Sequence, residues 1–546
     1  MQNHRQSNRL SWGDTVFLHL EREGMPLSVA GVSVLEGEIQ FDDCLQFIES
    51  KLPLIPRLVR RVVPPPLNLG LPTWECDPHF DIRNHVREAT LTHGTDTELK
   101  ALAGKILSTV LDRQHPLWDM TLVHGLKGKR TGLIVRLHHC MADGIAGVGL
   151  MGRLFDTSPA APALPKEKIR FRVPPPRDAI NSLMDGVVSS YGDFVKRILS
   201  AWADLLDMAE RAAANGGKLV PTDEFSRLLP EITAFTERVR FNVNYRGPQK
   251  IAWADIPLAE VKAIRQTCGA SVNDVILALV TATIRRYQKM HGERVKGRLL
   301  RMMVPVNLRG SDSSGELGNR ISLVPVTIPL DIRNPVKLLA AVHERTEFLK
   351  RSHAAELVSL AGGMIGMLPT AVQAVAGQVL SQLPITPFNL VCTNVPGPQY
   401  PLYLMGHKMV RWYPYVPVGG EMTVNCAILS YDGTVYFGFS GDVHAAPDLR
   451  RLETLLKLSF EELREASGVT PPRKSAKKVR AKTQEVKPQR EKKVPAKTQE
   501  VSKPAPEPPT TVRVSIPLTV PPPPVKLVPA PRPTTDEKNV PAQMVA

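Results

Sequence analysis

Two adjacent histidines followed by a carboxylate are the residues of this chain best suited to chemistry. The run His138-His139-Cys140-Met141-Ala142-Asp143-Gly144 follows a β-type apolar run at 132–137 and precedes a helical pattern at 145–155. Side chains on a loop at a strand end are commonly displayed for catalysis. An imidazole can take a proton from a hydroxyl near neutral pH, and a carboxylate four residues later can fix the loop or orient the ring. The spacing alone is a weak signal, because His115-Pro116-Leu117-Trp118-Asp119 repeats it.

Alternating strand and helix patterns on both sides of a long connection are predicted to position this loop. Residues 1–156 contain β-type runs at 28–35, 89–92, 122–124 and 132–137, and helical patterns at 99–111 and 145–155. Residues 252–467 contain helical patterns at 258–267, 273–291 and 447–466, and β-type runs at 300–306, 322–329, 388–393, 422–431 and 434–441. Asp432-Gly433 is a hairpin turn signal between the last two runs. The alternation predicts an α/β or α+β fold in two domains.

The connection and the C-terminal end differ from these two blocks in composition. Residues 157–251 begin with a proline-rich stretch and continue with helical patterns at 180–206 and 225–239, which predicts a helical crossover linker. Residues 468–546 are predicted to be a disordered tail. From 471 onward they hold 17 prolines, no glycine and 16 basic against 6 acidic residues, so most of the chain's net charge of +16 lies there. A solvated spacer is favoured over a weak electrostatic anchor.

Cysteine usage and hydropathy predict the setting in which the protein works. The six cysteines share no metal-ligand spacing, so no metal site is predicted. The polar start at 1–10 lacks an apolar signal-peptide core, which indicates a cytoplasmic location with reduced thiols. The uncharged stretch at 357–380 is only moderately apolar, which favours a buried or lipid-contacting helix over a membrane span. No nucleic-acid-binding module accompanies the basic tail, so nucleic acid is not a predicted partner.

Several short motifs resemble, in the same order, those of the bacterial wax ester synthase/diacylglycerol acyltransferase family. The run at 138–144 resembles the HHxxxDG motif of that family. The other matching segments are Leu10-Ser11 with Asp14, Phe17-Leu18 and Glu21; Pro116-Leu117-Trp118, similar to PLW; Asn273-Asp274, similar to ND; Val304-Pro305-Val306-Asn307-Leu308-Arg309 and Gly318-Asn319; and Asn394-Val395-Pro396-Gly397-Pro398, similar to NVPGP. The resemblance covers about residues 9–467. Two small departures are Asp119 after PLW, where Glu is frequent, and Thr393 before NVPGP, where Ser is common.

The resemblance implies a fold, a reaction and a set of partners. The fold would be two chloramphenicol-acetyltransferase-like domains with a channel between them. The reaction would move a fatty acyl group from acyl-CoA, as co-substrate, to diacylglycerol or a long-chain alcohol, with His139 as the general base and no permanently bound cofactor. A membrane or lipid-inclusion surface, bound peripherally, would be a further partner. The implied supporting residues are His138, Asp143, Gly144, Asn273 and Arg309. The implied channel candidates are Pro116, Leu117, Trp118, Asn394, Pro396 and Gly397. By residue type alone, Trp118 is favoured as a packing anchor, and Pro396 and Gly397 are favoured as residues that shape a turn.

Alternatives remain open for single residues and for the function. His138 is favoured as structural, and Asn273 either caps a helix that begins at Asp274 or supports the site. A Cys140 nucleophile is disfavoured, because adjacent residues on an extended chain point apart. An enzyme of the same fold could act on smaller alcohols or carrier-bound acyl groups. A non-catalytic lipid-inclusion protein is a further alternative, against which the intact His139 and Asp143 argue.

Overall fold

The computed structural model describes residues 8–65, 71–160, 236–307, 321–352 and 388–470, which belong to one unit spanning residues 1–473. Several sequence predictions lie outside the described residues. They are the two crossover helices except for 236–239, the uncharged stretch at 357–380, Arg309 with Gly318-Asn319, and the tail from 471 onward.

Strands and helices alternate along both halves of the chain, as the sequence predicts. The elements of the first half are α1 (Trp12–Leu20), β1 (Ser28–Glu36), α2 (Phe41–Lys51), β2 (Arg60–Val63), β3 (Thr73–Cys76), β4 (Val86–Thr90), α3 (Asp96–Leu107), β5 (Trp118–Leu126), β6 (Arg130–His138) and α4 (Gly144–Leu154). Those of the second half are β7 (Gln249–Pro257), α5 (Leu258–Cys268), α6 (Val272–Met290), β8 (Leu299–Asn307), β9 (Ile321–Pro329), α7 (Pro335–Arg351), β10 (Leu390–Pro396), β11 (Tyr403–Leu404), β12 (His407–Tyr415), β13 (Val424–Tyr431), β14 (Thr434–Asp442) and α8 (Arg451–Ala466).

Two six-stranded sheets organise these elements, and β2 pairs with β3 in a small ribbon. The first sheet has the order β11-β12-β1-β6-β5-β4, and the second has the order β7-β14-β13-β10-β8-β9. Both sheets are mixed, because β4 runs parallel to β5 and β10 runs parallel to β13 and β8, while the other pairs are antiparallel. Each sheet has its own cluster of buried apolar side chains. The mixed helix and sheet architecture is the predicted α/β fold.

The first sheet takes one edge from the second half of the chain. Strand β12 pairs antiparallel with β1, with Ala30 opposite Tyr415 and Ser33 opposite Trp412. The sequence division into 1–156 and 252–467 places this strand in the second domain, whereas the structure places it in the first sheet. The division also starts the second domain at Ala252, whereas β7 begins at Gln249. Strand exchange of this kind depends on side-chain packing across the sheet. The sequence of the strand itself gives no information about that packing.

Local sequence explains several of the boundaries. Asp432 and Gly433 join β13 to β14 with φ of 43° and 77°, a left-handed pair that asparagine, aspartate and glycine adopt at least cost in a two-residue hairpin. Helix α6 starts at a capping box, since the Ser271 side chain accepts the backbone N–H of Asp274 and the Asp274 carboxylate accepts that of Ser271. The hairpin turn predicted at Asp432-Gly433 is therefore confirmed.

Among the described residues, no single helix has the length and apolar character needed to cross a bilayer. The pair α5 and α6 satisfies the length and composition criteria together but is bent by 101° between the two helices. Most of α6 is buried within the protein, against α7 and α8.

Candidate active site

An apolar cavity of about 970 Å³ lies between the two sheets. The first sheet contributes side chains from β1, β6 and β12 to its wall, and the second sheet contributes side chains from β8, β10 and β13. Helices α1 and α4 close one side. Most lining residues are apolar, and the wall also includes His139, Asn394 and Asn425. The volume is at the upper end of the range for ligand sites, roughly 300–1,000 Å³, and suits a large apolar ligand held by few polar groups.

His139 presents its imidazole to this cavity. Its backbone N–H donates to the Leu27 carbonyl at 2.9 Å, which fixes the chain just after the end of β6. Its ring stacks on the ring of Phe17 from α1, with centroids 3.9 Å apart and planes 9° apart. Backbone and ring are therefore both held while one side of the imidazole lines the cavity. This is the position that a base needs if it is to reach a hydroxyl inside the cavity.

His138 turns the other way and is completely buried. Its Nδ1 accepts the backbone N–H of Cys140 at 3.1 Å, so the ring proton of a neutral His138 resides on Nε2. That Nε2 lies 3.3 Å from Oε2 of Glu21. Because both ring nitrogens are directed at protein groups away from the cavity, His138 supports the loop and does not face a substrate.

Glu21 is a site residue that reasoning from residue spacing misses. Its side chain is buried at the end of α1, where Oε1 accepts the Leu27 N–H at 2.9 Å and Oε2 lies 3.3 Å from the Arg113 guanidinium. Burial acts to raise the pKa of Glu21, but hydrogen bonds from His138 and Leu27 and the charge of Arg113 outweigh it, so the pKa is lowered. Glu21 thus holds Leu27, which in turn holds the backbone of His139. A lone glutamate in an amphipathic stretch gives no local signal of this role.

Asp143 and Gly144 build the junction between the histidine loop and α4. Asp143 is the N-cap, and its Oδ1 accepts the Ala146 N–H at 2.8 Å. Gly144 lines the cavity, and a Cβ at this position would lie 2.8 Å from Cγ2 of Val395. Any larger residue would therefore have to displace the Val395 side chain where α4 approaches β10. The predicted pairing of Asp143 with Arg309 falls outside the described residues.

Asn394 brings the second half of the chain to the same cavity, and Asn273 lies beside it. Nδ2 of Asn394 donates to Oδ1 of Asn273 at 3.3 Å, which joins the start of α6 to β10. Asn394 lines the large cavity, and both residues line a smaller adjoining one. Helix α6 is capped by Ser271 and begins at Val272, so the interpretation of Asn273 as a helix cap is wrong. The structure thus brings three separate segments together: the histidine loop with His139 and Gly144, the start of α6 with Asn273, and β10 with Asn394.

Comparison with known proteins matches the same segments. Residues 10–276 match the family model described as the wax ester synthase/diacylglycerol acyltransferase catalytic domain, and residues 317–464 match that of the WS/DGAT C-terminal domain. The chain belongs to the wax ester synthase/diacylglycerol acyltransferase family. It is an acyltransferase.

Relatives and solved structures agree with this assignment. The probable diacylglycerol O-acyltransferase tgs1 of Mycobacterium tuberculosis is 28% identical over 453 residues, which is 82% of this chain and 93% of the relative. The wax ester synthase/diacylglycerol acyltransferase from Marinobacter aquaeolei VT8 superposes with a TM-score of 0.59 at 23% identity, over 84% of this chain and all of that chain. The first condensation domain of the CDA synthetase superposes with a TM-score of 0.56 at 14% identity, over 85% and 97% of the two chains. These structural likenesses concern the fold.

The PLW segment of this acyltransferase lies behind the histidine loop, in the core of the first sheet. Leu117 and Trp118 are 0% and 2% exposed, and Pro116 is buried. Trp118 donates from Nε1 to the Leu58 carbonyl at 2.7 Å, and the Leu117 carbonyl accepts the His138 N–H at 2.9 Å. None of the three lines the large cavity, in contrast to the channel position that the resemblance implies, whereas the interpretation of Trp118 as a packing anchor agrees with its burial. A bulky apolar motif fits a core and a channel equally well by type, and here it supports the back of the loop.

The NVPGP segment is divided between the cavity and the surface. Asn394 lines the large cavity, whereas Pro396 is exposed and borders only the smaller one. Gly397 donates its N–H to the Ser430 carbonyl at 2.9 Å, and a Cβ on it would lie 2.5 Å from that oxygen. Gly397 is thus at a close backbone approach and lies outside the wall of the large cavity.

Cys140 has the environment of a packing residue. It is 1% exposed, and burial raises the pKa of its thiol well above the ordinary value, with the nearby carboxylates of Asp14 and Glu21 adding to the shift. A thiol of this kind stays protonated and is a poor nucleophile. Among the described residues, no three histidine, cysteine or acidic side chains converge in a way that could hold a metal ion.

Proposed function

We propose that this acyltransferase transfers a fatty acyl group from acyl-CoA to the hydroxyl of diacylglycerol, a long-chain alcohol, or both, with His139 as the general base. The observation that carries the proposal is the position of the His139 imidazole on the wall of an apolar cavity of about 970 Å³. A base at the wall of such a cavity can meet a hydroxyl whose chain is buried beside it.

The reaction requires one proton acceptor and no covalent enzyme intermediate. The imidazole of His139 takes the proton of the acceptor hydroxyl while the hydroxyl oxygen attacks the thioester carbonyl. The tetrahedral intermediate collapses as the carbon–sulfur bond breaks, and the imidazolium returns its proton to the sulfur of coenzyme A. The products are an ester and free coenzyme A, so atoms and charge balance without a cofactor. General base catalysis of this type contributes about 10²- to 10⁴-fold.

The lining of the cavity favours aliphatic substrates over small polar alcohols. Side chains such as Val29, Val148 and Leu429 offer dispersion contacts and no hydrogen bonds. Burying a methylene stabilises a complex by about 0.8 kcal/mol, so a long chain gains binding energy that a short alcohol lacks. That energy can hold the reacting hydroxyl beside His139.

The same substrates support a place of action. Diacylglycerol and long-chain alcohols reside in lipid, so we propose that the protein works at the cytoplasmic face of a membrane or at a lipid inclusion, bound peripherally. The less favoured interpretation of the basic C-terminal residues, a weak electrostatic anchor, would direct the protein to an anionic lipid surface. Co-sedimentation of the full chain with vesicles containing anionic lipid, compared with neutral vesicles, tests this; equal absence from both pellets would contradict it.

An acceptor panel tests the reaction. Purified full-length protein is mixed with palmitoyl-CoA and, in separate reactions, hexadecanol, dioleoylglycerol and butanol, while free thiol and ester product are measured. We expect thiol release with hexadecanol or dioleoylglycerol, matched by an equal amount of ester. Release with butanol alone would indicate the small-alcohol alternative, and no release with any acceptor would contradict the proposal.

A further inference from the structure

We infer that Trp412, seated on Gly31, closes the inner end of the apolar cavity and sets the length of aliphatic chain that the enzyme accepts. This inference rests on the proposed function, because it assigns a boundary to the substrate chain within the same cavity.

The cavity ends at one level on neighbouring strands of the first sheet. On β1 its lining runs from Val29 to Gly31 and goes no further, and on β6 it runs from Leu137 to Val135. Gly31 and Val135 are direct partners in the register of the two strands. The cavity therefore ends at the same level on both strands, and this end, at Gly31 and Val135, is called the floor of the cavity.

This floor lies far from the reacting end. The His139 N–H binds the Leu27 carbonyl, and Gly31 lies four residues further along the chain. At about 3.3 Å per residue in a strand, the separation is roughly 13 Å. A chain whose reacting group lies beside His139 would point its methyl end toward Gly31.

Trp412 covers Gly31 from the adjacent strand β12. It lies opposite Ser33 in the register, and its indole reaches back so that Nε1 is 2.5 Å from where a Cβ on Gly31 would be. Only glycine leaves the space that this ring occupies. Trp412 is 4% exposed and is part of the cavity wall. The largest side-chain type thus lies on the smallest at the end of the cavity.

The indole has a fixed support behind it. Its ring meets Tyr431 edge to face, with centroids 5.7 Å apart. Tyr431 is completely buried, donates its hydroxyl proton to the Met409 carbonyl at 3.0 Å and accepts the Leu402 N–H at 2.8 Å. Because the tyrosine is anchored by both bonds, a side chain that pushes Trp412 off Gly31 drives the indole toward the cavity.

Two substitutions should therefore move the chain-length preference in opposite directions. Trp412→Leu removes ring volume and should favour longer chains, whereas Gly31→Ala displaces the indole and should favour shorter ones. One methylene more or less in an apolar pocket changes kcat/KM by about tenfold or more. We expect the ratio of kcat/KM for arachidoyl-CoA to that for myristoyl-CoA to rise about tenfold with Trp412→Leu and to fall about tenfold with Gly31→Ala.

The aliphatic chain at this floor could belong to the acyl donor or to the alcohol, and the assay separates them. One arm varies acyl-CoA length with hexadecanol fixed, and the other varies alcohol length from dodecanol to eicosanol with palmitoyl-CoA fixed. A shift in either arm supports the inference and identifies the chain that reaches Trp412. Unchanged profiles in both arms for both variants would overturn it.

A matched control and a double variant exclude a general packing effect. Trp253 is also 4% exposed and stacks on Tyr413, the residue after Trp412, but does not line the cavity. Trp253→Leu should lower the melting temperature without changing the length profile. In the Trp412→Leu background, Gly31→Ala should lose most of its effect, because the two act through one contact; a full, additive effect would overturn the inference. If Trp412→Leu does not fold, Trp412→Phe makes the same comparison.

The outcome for the wild-type protein separates this inference from the proposed function. Wild-type protein that releases no coenzyme A at any chain length contradicts the proposed function. If the wild-type protein is active and the Trp412 and Gly31 variants show the same chain-length profile as the wild type, only the role of Trp412 is contradicted.

Discussion

Two His-x-x-x-Asp segments of this chain, at 139–143 and 115–119, have the same spacing and opposite environments. In the first, His139 faces the cavity and Asp143 caps α4. In the second, His115 is one-third exposed and its Nδ1 lies 3.2 Å from Asp77, while Asp119 binds Arg136 in the core. Spacing along the chain therefore identifies residues that could cooperate, but the surrounding strands decide whether they do. The doubled histidine marks the difference, because His138 takes the structural contacts and leaves His139 for the cavity.

The largest expected effect separates the two histidines. His139→Ala should reduce turnover by about 10²- to 10⁴-fold, because the proton acceptor is lost. His115→Ala should retain most of the activity, since its imidazole contacts Asp77 and not the cavity. Thiol release from palmitoyl-CoA measures both, and circular dichroism checks that both variants fold. Near-normal turnover of His139→Ala would place the base elsewhere.

The second largest effect is on stability, and it should distinguish Asp119 from Asp143. Asp119 accepts from Nε and Nη2 of Arg136, and the remaining guanidinium nitrogen donates to the Ile106 and Thr109 carbonyls. Removing one partner of a buried ion pair costs about 3–5 kcal/mol, so Asp119→Ala should lower the free energy of unfolding by about that amount. Urea denaturation followed by fluorescence measures it. A loss below about 1 kcal/mol would contradict the burial argument.

A smaller effect on turnover tests the support behind His139. Glu21→Gln keeps the side-chain volume but removes the charge that faces His138 and Arg113. A displacement of about 1 Å at a reacting group costs up to about hundredfold in rate, so kcat should fall within that range while KM changes little. Glu23→Gln, an exposed glutamate two residues away, is the matched control and should behave as wild type. Equal kcat for the two variants would remove Glu21 from the site.

Loss of the Asp143 cap should have a modest effect on stability. Asp143→Ala removes the acceptor for the Ala146 N–H, and such caps contribute about 0.5–2 kcal/mol. Thermal unfolding of Asp143→Ala and Asp119→Ala under the same conditions compares the two losses of stability directly. Asp143→Asn can still cap the helix and should recover most of the loss; no recovery would indicate a role for the charge itself.

The contact between His343 and Asp274 predicts a dependence of stability on pH. Burial acts to raise the pKa of Asp274, but hydrogen bonds from Thr346, Ser271 and His343 outweigh it and lower the pKa below the ordinary 3.8. The carboxylate thus stabilises the fold above that value, and the contribution is lost as the pH falls through the lowered pKa. Asp274→Asn should flatten the loss of unfolding free energy in acid. An identical acid profile would contradict this.

The sequence predicts the elements of the fold better than their arrangement. Strand β13, strand β14 and the Asp432-Gly433 turn are local features, since periodicity and turn chemistry lie within adjoining residues. The pairing of β12 with β1 is not a local feature, because it joins residues 30 and 415 and depends on which faces pack together. Helix α1 is not predicted from the sequence, because its nine residues are too few for a clear period.

The candidate site shows the same division. His139, Asp143 and Gly144 form a continuous run whose chemistry can be predicted from residue types. The roles of Glu21 and Trp412 could not be predicted from residue types, because each depends on a neighbour distant in sequence. That neighbour is His138 for Glu21 and Gly31 for Trp412. The resemblance implies Leu117 and Trp118 as channel residues, but both lie in the core; an apolar side chain does not by itself distinguish a channel wall from a core. The roles of these residues in catalysis stay predictions.

The exchange of strand β12 has a consequence for synthesis on the ribosome. Strands β1 and β6 leave the ribosome early, yet the neighbour that covers the open edge of β1 is made more than 370 residues later. At about 5–20 residues per second, the edge of β1 stays uncovered for roughly 20 seconds or more. An uncovered strand edge is a template for pairing with another chain. The nascent protein therefore has a window in which chaperones that shield strand edges should raise its yield.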